Sequence, residues 1–269
     1  MAKKKETQKN EVAKTQSNDI ATTEKRRGFD MMDKSTIKPP QIKLLQSTSP
    51  EVQDDEFEDF GFRAGKLVNT LLLEEVEGDF VPLMIFDNKT LLNPRNDEEK
   101  QVLIDTVKSK FGEDITTEVN SSTTLLCIAE DNAHGSRFGK CSECKLCDFD
   151  GDRKPIGNKN INVIGLFPEF EGIPCLFRFT STSYKQGSKF KNLAYYSGGD
   201  LFSKKYKLVP KKKSDGGNTW YILTVKPNGV PTDEEKAMAN ELYDMVNQAE
   251  LEVVYDNDEY NEAESDTDY

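Results

Sequence analysis

Apolar positions along this chain fall into short alternating runs separated by polar turns, with two stretches of helical periodicity. After Pro39-Pro40, Ile42, Leu44 and Leu45 make a short extended segment. Residues 66–76, 81–86, 123–129, 162–167, 175–181, 202–209 and 219–225 predict strands, being rich in aromatic and β-branched side chains. Within them, Phe177 and Phe179 share a face with Cys175, and Phe202 and Tyr206 share a face with Leu208, which assigns these rings to a core. Asp215-Gly216-Gly217-Asn218 separates the last two strands and predicts a hairpin. Residues 96–111 predict a helix capped by Asn96, acidic in its first turn, with Val102, Leu103, Val107 and Phe111 on one stripe and Gly112 as its stop. A second helix starts at Pro231-Thr232-Asp233-Glu234-Glu235, with Ala237, Leu242, Met245 and Val246 on roughly one face. The pattern is that of a β-rich α+β core with added helices.

Composition narrows this. Hydrophobic residues are 35% and charged residues 31% of 269, with a mean hydropathy of −0.70, so part of the chain must lie outside any packed core. Residues 1–36 are polar and aperiodic, which predicts a disordered N-terminal arm. One domain then spans 37–230 with a cysteine-rich insertion at about 130–160, followed by a helix over 231–250 and a disordered acidic tail over 251–269. No apolar run approaches the ~18 residues needed to cross a bilayer. Polar sequence follows the basic start, which predicts a soluble intracellular protein rather than a secreted one.

Charge is unevenly placed. The net value is −12, yet residues 176–226 hold eleven Lys and Arg against two Asp. Residues 251–269 hold eight Asp and Glu and no Lys or Arg. Ten of the twenty-five aromatics fall between Phe177 and Tyr221, interleaved with that basic cluster. Lysines neutralise phosphates, and flat rings stack on unpaired bases, contributing about 1–3 kcal/mol per base. Tyr184, Phe190, Tyr195 and Tyr196 lie in a Gly/Ser/Lys-rich connection without apolar partners, which makes them the stacking candidates. Lys185, Lys189, Lys191, Lys204, Lys205 and Lys207 are the phosphate-binding candidates.

Five cysteines without an export signal do not make a disulfide framework. Cys141-Ser-Glu-Cys144-Lys-Leu-Cys147 overlaps two Cys-x-x-Cys pairs in polar, turn-forming sequence, which suits a structural zinc ion. His134, the single histidine, is the preferred fourth ligand and Asp148 the poorer alternative, while Cys127 is expected to face the core. Free reduced thiols and redox chemistry remain alternatives to zinc.

The segment Pro40-Gln-Ile-Lys-Leu-Leu-Gln-Ser-Thr-Ser-Pro-Glu51, the cysteine loop, Arg178-Phe-Thr-Ser-Thr-Ser-Tyr184 and the acidic tail ending in Tyr269 resemble bacteriophage single-stranded DNA-binding proteins. The resemblance implies an OB-like β-barrel, a basic aromatic groove and an acidic tail that docks replication or recombination proteins or competes for the groove. The expected function is non-enzymatic coating of single-stranded DNA in phage replication or recombination, in the cytoplasm of the infected host cell, with no membrane partner. The alternative is a phage structural or packaged protein-interaction protein without strand-specific binding. A nucleic-acid enzyme is the least favoured reading, since the chain has no P-loop pattern and its single histidine sits in the cysteine loop.

Overall fold

The structure is a computed structural model that describes residues 39–94, 96–121, 124–149, 151, 154–170 and 172–248. The arm expected over 1–36, the tail over 251–269 and the side chains of Met245 and Val246 lie outside the described residues. The strands are β1 Gln41–Leu44, β2 Leu67–Asn69, β3 Glu74–Glu75, β4 Asp79–Leu92, β5 Leu125–Ala129, β6 His134–Gly135, β7 Gly139–Lys140, β8 Asn158–Leu166, β9 Pro174–Phe179, β10 Tyr206–Asp215 and β11 Asn218–Pro227. The helices are α1 Pro50–Gln53, α2 Asp97–Phe111, α3 Thr116–Val119, α4 Cys141–Cys144, α5 Tyr184–Tyr196 and α6 Asp233–Gln248.

Nine strands form one curled, half-barrel sheet in the order β11-β10-β4-β8-β9-β1-β2-β3, with β5 also on β4. Among the described strands only β1 and β9 pair in parallel; the other described pairs of this sheet are antiparallel. The 14-residue β4 carries the curl. Its register shifts between Pro82 and Met84, and such irregularities bend a strand and increase its twist. One edge of β4 pairs with β8, while the other takes β10 at Asp79 and Phe80 and then β5 from Lys89 onward. Where the curl brings β11 back beside the segment after β1, a side chain replaces the ladder. The Gln46 amide donates to the Tyr221 carbonyl at 2.8 Å and accepts from the Tyr221 N–H at 2.8 Å.

Alternation sorts the strand residues into two layers. On one face, Phe80, Ile161, Val163, Cys175, Phe177, Phe179, Tyr206 and Leu208 form the main core. On the other, Val81, Leu83, Ile164, Leu166 and Leu176 pack against Ala239 and Leu242 of α6. Thr232 starts α6 with a reciprocal capping box: it accepts from the Glu235 N–H at 3.1 Å, and Glu235 accepts from the Thr232 N–H at 2.8 Å. A separate core lies beneath α2 and α3, with Leu103, Ile104 and Val107 set against Leu91, Leu126, Phe138, Cys144 and Leu146. Asn96 caps α2 as expected, accepting from Glu98 and Glu99 N–H at 2.8 and 3.2 Å.

Several elements depart from the sequence-based expectation. Residues 66–76 are not one strand, because Asn69 accepts from the Leu71 and Leu72 N–H groups and folds the chain into a turn between β2 and β3. Val102 faces solvent and Ile104 takes its place in the α2 stripe. Phe202 does not join Tyr206 in the main core: β10 begins at Tyr206, and Phe202 packs beside Tyr243 of α6, ring centres 5.8 Å apart.

Candidate nucleic-acid interface

The connection expected to carry four mobile rings is a helix, α5. Tyr184, Gly187, Phe190 and Ala194 recur at three- and four-residue spacing and meet the main core. Gly187 is needed for the approach: a Cβ there would sit 2.6 Å from Cβ and 2.7 Å from Cγ of Phe179. Phe190 is accordingly a core residue, 2% exposed, edge-on to Tyr206 at 5.0 Å. This corrects its assignment as a stacking ring. Tyr184 is half-buried against the same core.

Tyr195 and Tyr196 stand out from the helix end, 80% and 83% exposed, their ring centres 5.3 Å apart and nearly perpendicular. At 3.6 residues per turn, Lys185, Lys189, Asn192 and Tyr196 fall on one outer stripe about 17 Å long. Lys185 and Lys189 are exposed and have no ion-pair partner among the described residues.

The other four lysines are less available. Lys191, turned toward the packed side of α5, pairs with Asp87. Lys205 donates to Glu235 at 2.5 Å, with both side chains about one-fifth exposed. Lys207 lies 3.4 Å from Asp79. Lys204 is half-buried without a described ion-pair partner. Burial works against the Glu235 charge, but the hydrogen bonds from Lys205 and from Thr232 outweigh it and lower the carboxyl below its ordinary 4.5. Lys191, Lys205 and Lys207 are therefore each engaged by a carboxylate of the fold itself.

Three lysines that the candidate set omitted are better placed. Beyond its pairing with β4, β10 continues with β11 as a two-stranded ribbon, closed by Gly216 and Gly217 at φ 55° and 94° between the paired Asp215 and Asn218. Lys211, Lys212 and Lys213 are exposed on this ribbon, with Lys212 opposite Tyr221 and Lys213 opposite Trp220. A lysine triplet immediately before a glycine turn was the available signal. The start of α5 is tied to the same ribbon, because the Leu223 N–H donates to Ser183 Oγ at 3.0 Å. The outer stripe of α5 thus begins beside the strand that carries the ribbon.

The cysteine loop is more deeply packed than its polar sequence implies. Cys144 belongs to the core under α2 and is 8% exposed. Cys147 donates weakly to the Thr90 carbonyl at 3.5 Å, and burial, with Cys144, Cys141 and Cys127 nearby, pushes its thiol up to about 12. Cys141 is likewise raised by burial, although Lys89 works the other way. His134 is 65% exposed with Nδ1 2.9 Å from Asp131. Asp148 accepts from Lys89 at 2.9 Å and pairs with Lys159. As they stand, no three His, Cys, Asp or Glu side chains among the described residues converge as a ready metal site. No described helix is long and apolar enough to cross a membrane.

Comparison with curated proteins and with solved structures found no match. Residues 5–252, which include the curled sheet, α5 and the cysteine loop, match the family described as Pam3 phage gp34-like protein. The chain belongs to this bacteriophage family.

Proposed function

We propose that this chain is a non-enzymatic single-stranded DNA-binding protein of phage replication or recombination, acting in the infected host cell's cytoplasm. The observation that carries the reading is the exposed Tyr195–Tyr196 pair at the end of a helix stripe bearing the unpaired Lys185 and Lys189. Two fully presented rings contribute nothing to the core, and beside free ammonium groups they suit unstacked bases on a phosphate chain. Lys211 and Lys213 on one face of the ribbon, and Lys212 on the other, add exposed positive charge beyond that stripe. The curled sheet is consistent with an OB-like frame, on which such binders commonly lay a strand. The acidic residues 251–269 would dock replication or recombination proteins or compete for the same lysines.

Fluorescence anisotropy with short single strands and matched duplex, at two salt concentrations, tests this. Single strands should bind in preference to duplex, with affinity falling steeply as salt rises. Tyr195→Ala with Tyr196→Ala should weaken single-strand binding by about tenfold or more, since each stacked base contributes about 1–3 kcal/mol. Absent or salt-independent binding by the unaltered chain overturns the proposal.

A further inference from the structure

The fold gathers a fourth thiol at the cysteine loop. Cys127 lies in β5, paired with Leu91 of β4, and Cys147 touches the carbonyl of the adjacent Thr90. The β6–β7 hairpin leads directly into Cys141, whose N–H donates to the Ala133 carbonyl at 2.8 Å. Gly135 in that hairpin faces the Cys127 sulfur, since a Cβ there would lie 2.8 Å from Sγ. Gly157 does the same for Cys147, where a Cβ would lie 2.5 Å from Sγ. At both glycines a sulfur takes the space a Cβ would need, so each thiol is seated against the backbone of a neighbouring segment. Cys144 is part of the core beneath α2, and Cys127 packs against that core.

The turn between the loop cysteines has a form that packing alone does not require. Lys145, directly after Cys144, holds a left-handed backbone at φ 54° and ψ 19°, with its N–H donating to the Cys141 carbonyl at 3.0 Å. A lysine in that region costs about 1 kcal/mol relative to its usual conformations, and the tight turn sets Cys141 and Cys144 on one side of the loop.

We infer that one zinc ion draws Cys127, Cys141, Cys144 and Cys147, which do not yet converge in this structure, together into a structural, tetrahedral four-thiolate site, with Cys127 rather than His134 as the fourth ligand. Zinc binding replaces the weak Cys147 S–H contact to Thr90 with a metal–thiolate bond and releases the thiol protons to solvent. It ties β5, the β6–β7 hairpin and the loop before β8 together beside the core under α2. The inference is independent of nucleic-acid binding, because it rests on other residues and reads out as metal content.

The test is metal analysis of the full chain purified under reducing conditions without chelator, followed by exchange into cobalt(II). About one zinc per chain is expected, and the cobalt form should show the intense sulfur-to-metal charge transfer and tetrahedral ligand-field bands of an all-thiolate site. His134→Ala should keep the metal, while Cys127→Ser should lose it. The cobalt spectrum of the unaltered chain decides the ligand set even if Cys127→Ser fails to fold. No zinc and no cobalt uptake by the unaltered chain overturns the inference, as does a mixed sulfur–nitrogen spectrum or loss of metal in His134→Ala.

Discussion

Gln46 does with one amide what the sheet ladder does elsewhere. It is 3% exposed and satisfies both the N–H and the carbonyl of Tyr221. Gln46→Leu keeps the volume but leaves both backbone groups without their partners, so unfolding free energy should fall by about 1–3 kcal/mol, read from urea denaturation at constant m-value. Gly187 is a comparable single-residue constraint from the packing side. Gly187→Ala drives a methyl into Phe179 at 2.6 Å, and overpacking of this kind costs about 1–3 kcal/mol on the same assay. The substitution also pushes α5 off the sheet, so single-strand binding should weaken together with stability. Neither residue was legible in the sequence. A Gln between Leu45 and the polar Ser47-Thr48-Ser49 reads as a surface position, and a glycine within Lys-Gln-Gly-Ser-Lys reads as a flexible loop, because the partners that give each its role lie far away along the chain.

The strands and the two flanking helices were legible because each buries a face whose period is local: two in β9 and β10, three to four in α2. Helix α5 was not, since its buried positions are spaced by a glycine and an alanine and its outer face is lysine and tyrosine. Once the helix is recognised, Phe190 moves to the core and Lys191 to its ion pair, while Lys185, Lys189, Tyr195 and Tyr196 keep their place in the candidate interface. The ribbon of β10 and β11 then supplies the remaining charge. Replacing Lys211, Lys212 and Lys213 together by alanine should reduce the slope of log affinity against log salt for single strands by about 1.4, at about 0.7 per phosphate contact for the two lysines that share a face. Because these side chains are exposed, the melting temperature should not change. A different linkage governs α6. Glu235 caps that helix and holds Lys205, and its carboxyl is lowered from 4.5. A depressed acid stabilises the fold above its unfolded value, and that contribution is lost as pH falls through the folded one. Thermal melts should therefore show Glu235→Gln destabilised near neutral pH, with the difference from the unaltered chain shrinking as pH drops below about 4.5.

At the scale of the whole molecule, the proposed function asks a chain of net charge −12 to hold a polyanion, which only the arrangement of its charge makes feasible. The basic stretch over residues 176–226 was visible in the sequence. What was not visible was its division by the fold into lysines neutralised by Asp79, Asp87 and Glu235 and lysines left open on α5 and the ribbon. On the proposed reading the open group acts within a Debye length, about 10 Å at 0.1 M salt, and the eight carboxylates of residues 251–269 would compete with phosphates for the same ammonium groups. Removing residues 251–269 brings the net charge from −12 to −4 and abolishes that competition. The shortened chain should bind single strands more tightly at low salt, by about tenfold, equivalent to ~1.4 kcal/mol. The advantage should shrink steadily as added salt screens tail and phosphate alike. Anisotropy titrations of both chains across a salt series measure this directly. Equal affinities at low salt would mean that the acidic segment does not compete for the lysines, leaving protein docking as its role.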